Sequence, residues 1–183
     1  MRISQILFIK GNVRWILIAS IGALLVVATI VALQWRPATV IAKRQASLIE
    51  GIERRSPARI QRLLSPDYRD RWEFTREDLV ETMVDAGSQF LALVVTPENQ
   101  SIVIEEGRAT VTAKLIISGK PVGPAGIEVT RQINQLKEPF VFTWEKKGFL
   151  PSSWRLVKVD NADLPAELYG YEPGDIRRAM KGE

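Results

Sequence analysis

Three side chains lying close together in the sequence carry the groups of proton-transfer chemistry: Tyr68, Asp70 and Asp78. A carboxylate serves as a general base only when desolvation raises its pKa and a partner steadies the charge that develops on the substrate. Asp70 stands between Arg69 and Arg71, whose charges are expected to lower its pKa instead. The chain has no His and no Cys. Thiolate nucleophiles, Ser-His-Asp triads, disulfides and zinc sites built on imidazole or thiolate are thereby excluded. No catalytic residue, metal ligand or cofactor is assigned.

The other residues that could act on a ligand are aromatic. Tyr68, Trp72, Phe74 and Trp144 are the candidates for a pocket or surface that takes a small apolar ligand or a protein partner. The competing reading is core packing, with the Tyr68 hydroxyl hydrogen-bonded at a helix end. The segment Gly119 to Gly126, GKPVGPAG, is rich in glycine but lacks the Gly-Lys-Ser/Thr ending of a phosphate loop. It reads as a hairpin loop between strands.

These residues follow a long apolar run. Trp15 to Leu33, WILIASIGALLVVATIVAL, carries no charge and is close to the ~20 residues with which a helix crosses a bilayer core. Trp15 and Trp35 bracket it at interfacial positions, with Arg14 and Arg36 outside them. The run is longer than the apolar part of a cleavable signal peptide. The expectation is an uncleaved anchor over 15–35, a short cytoplasmic tail over 1–14, an extracytoplasmic domain over 36–160 and a C-terminal tail over 161–183. The lipid bilayer is then a partner through Trp15 to Trp35, in the inner or plasma membrane of a cell envelope. All 21 acidic residues lie at or after Glu50, and three of the 25 Lys and Arg precede the run. The 22 that remain leave the rest of the chain at only +1, too little for a nucleic-acid binder. One arginine-rich stretch stands out: Arg54, Arg55, Arg59, Arg62, Arg69, Arg71 and Arg76. It reads as a solvated helix face, or as a site for phosphate headgroups or an acidic partner.

Apolar residues at helical spacing predict a helix from Thr39 to Arg55, and Ser56-Pro57 opens a short second helix ending near Ser65-Pro66. Trp72-Glu73-Phe74 reads as a very short strand. Thr75 caps a third helix, with Asp78 at the capping-box position and Gly87 just past its end. Strands then follow over Phe90 to Thr96, Ile102 to Ile104 and Ala109 to Ile117, with turns at Pro97 to Gln100 and Glu105 to Arg108. Phe140, Phe142 and Trp144 mark another strand, and Trp154 to Val159 closes an antiparallel sheet. Ile127 to Lys137 reads either as a strand extension or as a protruding arm. The tail holds Tyr169-Gly170-Tyr171 and a last helical turn from Asp175 to Met180.

The fold class is α+β: one N-terminal transmembrane helix, then three helices on a curved antiparallel sheet. Leu63-Leu64-Ser65-Pro66-Asp67-Tyr68, Trp144-Glu145-Lys146-Lys147-Gly148 and Trp154-Arg155-Leu156-Val157 together resemble the nuclear transport factor 2-like superfamily, whose domain is a cone. The resemblance spans Val40 to Asp160. That superfamily holds ketosteroid isomerases, scytalone dehydratase, polyketide cyclases and many non-enzymatic binding or assembly domains. Dehydratase and cyclase sites depend on His, which is absent here, whereas isomerase sites use Asp and Tyr. The fold alone does not decide between these; with the anchor expected at 15–35, the leading reading is a membrane-anchored, non-enzymatic binding or assembly module, with a cavity enzyme of Asp/Tyr type as the alternative. A short tail, one membrane helix and such a domain also resemble the bitopic assembly subunits of type IV secretion systems. Homo-oligomerisation is compatible with each reading.

Overall fold

The computed structural model describes residues 16, 18–26, 36–165 and 171–175. Helix α1 (Pro37–Glu53), α2 (Pro57–Leu63) and α3 (Arg76–Ser88) precede strands β1 (Phe90–Glu105) and β2 (Arg108–Pro121). Helix α4 (Gly123–Gln135) then leads to β3 (Phe140–Lys146) and, after a single 3-10 turn at Pro151–Ser153, to β4 (Trp154–Asp160). The four strands form one antiparallel sheet in the order β1-β2-β3-β4.

Local chemistry accounts for the helix starts. Proline enters the first turn of α1 and α2, where its missing N–H costs nothing. Thr75 and Asp78 form a reciprocal capping box on α3: the Thr75 N–H donates to Asp78 Oδ2 at 2.9 Å, and the Asp78 N–H donates to Thr75 Oγ1 at 3.3 Å. Gly87 lies inside α3, one residue before its last. What it provides there is space, since a Cβ would come 2.9 Å from Cγ of Arg55.

The helices cover one face of the sheet. Ile41 and Leu48 of α1 and Ile60 and Leu63 of α2 pack with Ala109, Val111, Phe142 and Leu156, all buried. Alternation along β2 sends Ala109, Val111 and Ala113 inward, as period-2 geometry requires. Each sheet edge is met by a neighbouring segment at some point. The chain after α2 runs beside β4, where Leu64 and Leu156 form a parallel bridge and the Ser65 N–H donates to Leu156 O at 2.8 Å. On the far edge, Glu53 accepts from the Val95 N–H at 2.9 Å.

Several local expectations are corrected. Pro97 to Gln100 does not reverse the chain: β1 continues through it, and Asn99 and Gln100 together face one residue of β2, a bulge in which Asn99 adopts φ 51°. The true reversal is Glu106-Gly107, both with positive φ, the geometry of a two-residue hairpin. Trp72-Glu73-Phe74 is a loop rather than a strand, because its N–H groups turn back onto Asp70. GKPVGPAG is not a hairpin loop: β2 extends to Pro121 and the chain then enters α4, which also replaces the strand or arm expected over Ile127 to Lys137. Asn134 holds α4 to the sheet by imitating a strand, accepting from the Ile117 N–H at 2.7 Å and donating to Ile117 O at 2.8 Å.

Residues 18–26 are helical, with Ile18, Ile21, Leu24, Leu25 and Val26 exposed. The remainder of the expected anchor, at 15, 17 and 27–35, lies outside the described residues, as do Tyr169-Gly170 and the expected turn beyond Asp175. Among the described residues, no helix is long and apolar enough to cross a membrane.

Candidate functional site

Between α3, α4 and the sheet lies a cavity of about 500 Å³, within the size range of small-molecule pockets. Leu79, Met83 and Ala86 of α3 form one wall, and Phe90, Leu93, Leu115 and Ile117 of the sheet form another. Val129, Gln132 and Ile133 of α4 close the side, and Leu164 and Tyr171 from the tail reach the rim. Helix α4 approaches this closely because residue 126 is glycine: a Cβ there would meet Gln89 O at 2.4 Å.

The candidate aromatics divide into two pairs. Trp72 and Phe74 line the cavity, and the Trp72 indole N–H is engaged by Pro165 O at 2.9 Å. Tyr68 and Trp144 are not among its lining residues. Trp144 is fully buried and donates through Nε1 to Gln45 Oε1 at 3.1 Å. Tyr68 is 2% exposed; its hydroxyl donates to Asp70 Oδ2 at 2.9 Å and accepts from the Val159 N–H at 3.2 Å.

Asp70 behaves differently from the expectation set by its neighbours. Arg69 turns to Glu73 O at 2.8 Å and Arg71 to Asn161 O at 2.9 Å, so neither guanidinium sits on the carboxylate. Burial raises the Asp70 pKa, against the opposing pull of hydrogen bonds from Tyr68, Phe74 and Trp72. With Oδ1 accepting from the Trp72 and Phe74 N–H groups, this side chain organises the loop that carries the two cavity aromatics. Asp78 is likewise committed, to the α3 cap.

A second Tyr-Asp pair emerges only in three dimensions. Tyr171 lines the cavity and its hydroxyl lies 3.1 Å from Oδ2 of Asp85, a fully buried residue on α3. Burial first, and then the Asp85 charge, push the Tyr171 pKa up to about 12, so the phenol stays protonated at neutral pH. No sequence pattern marks this pair, since the two residues are 86 positions apart. For α4 a signal does exist: Gly123-Pro124 followed by Val129 and Ile133 gives a helix-starting proline and an i,i+4 apolar pair. No carboxylate is among the lining residues, and among the described residues no group of three or more Asp or Glu is placed to hold a metal ion.

No protein-family model matches this sequence, and no curated protein matches it. Among solved structures it is similar to Bd1075 of Bdellovibrio bacteriovorus, with a TM-score of 0.50 and 10% identity over 67% of this chain and 40% of that one. The chain thus spans less than half the length of Bd1075, and the likeness is one of fold. It is also similar to a nuclear transport factor 2-like protein from Cytophaga hutchinsonii (15% identity, 68% of this chain and 95% of that one, TM-score 0.48). A protein with a cystatin-like fold from Nostoc punctiforme (13% identity, 68% and 91%, TM-score 0.47) is a further similar structure. The α+β arrangement of helices on one antiparallel sheet agrees with the fold expected from the sequence.

Proposed function

We propose that this chain is a membrane-tethered, non-enzymatic binding module whose cavity holds a small apolar ligand. One observation carries the reading: a cavity of about 500 Å³ whose wall is mostly aliphatic and aromatic and includes no carboxylate. Such a wall gains free energy from burying apolar surface, at roughly 25 cal/mol per Å², but offers a substrate no base. Gln132 and Thr82 supply the polar contacts that would orient a ligand. The tether is proposed from the uncharged run at Trp15 to Leu33, with the domain after Arg36 outside the cytoplasm. The exposed apolar side chains of residues 18–26 support it.

The test is to purify the full chain, extract it with organic solvent and identify apolar molecules by mass spectrometry. A molecule at near-stoichiometric yield is expected with the wild type and not with Ala86→Trp, which fills the cavity. Equal yields from both proteins, or none from either, reject the reading.

The Tyr171 and Asp85 pair favours a second reading, a cavity enzyme of Asp/Tyr type. Against it, Tyr171 spends its only proton on the buried carboxylate. Turnover abolished by Tyr171→Phe in a folded protein would establish this reading instead.

A further inference from the structure

A second pocket, of about 410 Å³, is lined by Arg44 and Ser47 of α1, Arg59 and Arg62 of α2, Ser152 of the 3-10 turn and Arg155 of β4. The arginine-rich stretch seen in the sequence does not form it as a block. Arg54 pairs with Glu50, Arg55 with Leu91 O, Arg69 with Glu73 O, Arg71 with Asp160 and Asn161 O, and Arg76 with Glu77. Only Arg59 and Arg62 reach the pocket, where the fold adds Arg44 and Arg155 from distant positions.

The pocket concentrates positive charge. Arg59 is paired with Glu50, whereas Arg44, Arg62 and Arg155 form no ion pair with a carboxylate among the described residues. Arg44 and Arg155 donate to the same acceptor, Ser152 O, at 2.6 and 2.8 Å, which sets two guanidinium groups side by side. Burial, and then the charge of Arg155, lower the Arg44 pKa from its ordinary value. Like charges held this way call for an anion between them, and guanidinium forks match phosphate oxygens.

The loop beside the pocket supplies an independent observation. Phe149 is fully exposed and Leu150 is 65% exposed, three and two residues before Ser152. They are held outward by structure: the Lys147 N–H donates to Ser153 O at 3.1 Å, and the Ser153 hydroxyl lies 2.7 Å from both Gly148 O and Leu150 O. Lys146 and Lys147 are exposed at its base, Lys147 paired with Glu145 at 2.9 Å. An apolar tip with a basic collar suits a surface that is apolar beneath an anionic layer.

We infer that this corner of the domain docks on an anionic phospholipid surface, Phe149 and Leu150 entering the acyl boundary while Arg44, Arg62 and Arg155 take lipid phosphates. The inference does not depend on the anchor at Trp15 to Trp35, because the pocket and loop belong to the folded domain.

Because the chain has no Cys, Phe149→Cys in the full-length protein takes a single nitrobenzoxadiazole label. Reconstituted in equimolar phosphatidylcholine and phosphatidylglycerol vesicles, the label is expected to shift to the blue and to be quenched by a lipid-borne quencher. In phosphatidylcholine alone it should remain in water. Adding Arg44→Gln or Arg62→Gln should lower the ratio of inserted to aqueous label about fivefold each. Arg62→Gln is the safer variant, since among the described residues the Arg62 side chain donates only to Ala58 O of its own helix. A label that stays in water in both vesicles, that inserts equally in both, or that ignores both arginine variants overturns the inference; an outcome of the first kind with a protein partner later found on this corner would reassign the surface. Carbonate extraction of the same vesicles reads the anchor separately: a chain stripped by carbonate whose label had inserted tells against the anchor alone.

Discussion

The Tyr68 hydroxyl and the Asp70 carboxylate are bonded to each other at 2.9 Å, with the Val159 N–H as a further donor to the hydroxyl. The residue types that suggested acid-base chemistry thus serve to tie the loop after α2 to β4. Tyr68→Phe leaves a buried carboxylate oxygen and a strand N–H short of a partner, and should cost ~1–3 kcal/mol by urea unfolding. Ligand yield from the folded fraction should be unchanged; a silent substitution would refute the tie.

Asp70 also gives a pH prediction. Its folded-state pKa is raised by burial, so the folded protein holds that proton more tightly than the unfolded chain does. The resulting stability is present below the unfolded value of ~4 and is lost as pH rises through the higher folded value. The stability of wild type relative to Asp70→Asn should therefore decline across that rise, measured by urea midpoints at successive pH values. A difference that grows with pH would contradict the sign.

Trp144 tests the core. Its ring is fully buried and its indole N–H meets Gln45 Oε1. Trp144→Ala should cost ~3–5 kcal/mol through lost contacts and a void, with ligand binding falling only as the folded fraction falls. Trp144→Phe removes the donor from a Gln45 whose Nε2 already has no hydrogen-bond partner, a loss of ~1–3 kcal/mol. Gln45→Leu in that background should recover part of it.

Tyr171 should reveal itself in alkali. Its pKa of about 12 lies above the unfolded value of ~10. The stability it contributes is whole below the lower value and disappears as pH rises through the upper one. Tyr171→Phe should flatten that part of the decline in unfolding midpoint. Parallel curves for the two proteins would show that the phenol titrates unperturbed.

The tether predicts a protease pattern. Protease added to cells with a permeabilised outer layer should cut after Arg36 and leave residues 1–14 intact. Cutting confined to the N-terminal side would reverse the proposed orientation.

What the sequence determined by itself is the local order, because its signals act between near neighbours. Pro57 and the Thr75-Asp78 box start helices wherever the chain goes next, and the alternation of Ala109, Val111 and Ala113 assigns the inner face of β2 without reference to any other strand. Where local signals compete, the tertiary structure decided. Pro97 to Gln100 carries turn residues, yet continuous pairing with β2 on both sides turns it into a bulge; Gly123-Pro124 became a helix start because α4 could dock on β2 through Asn134. Trp72, Phe74, Arg59 and Arg62 were legible as candidates, but the assembly of each site belongs to the tertiary level. Asp70 lost the company of Arg69 and Arg71 when their side chains found backbone carbonyls, and the cavity wall, the Tyr171 and Asp85 pair and the arginine pocket join residues that only the folded chain brings together. Charge and burial act through distance in space, and along the sequence that distance is not written.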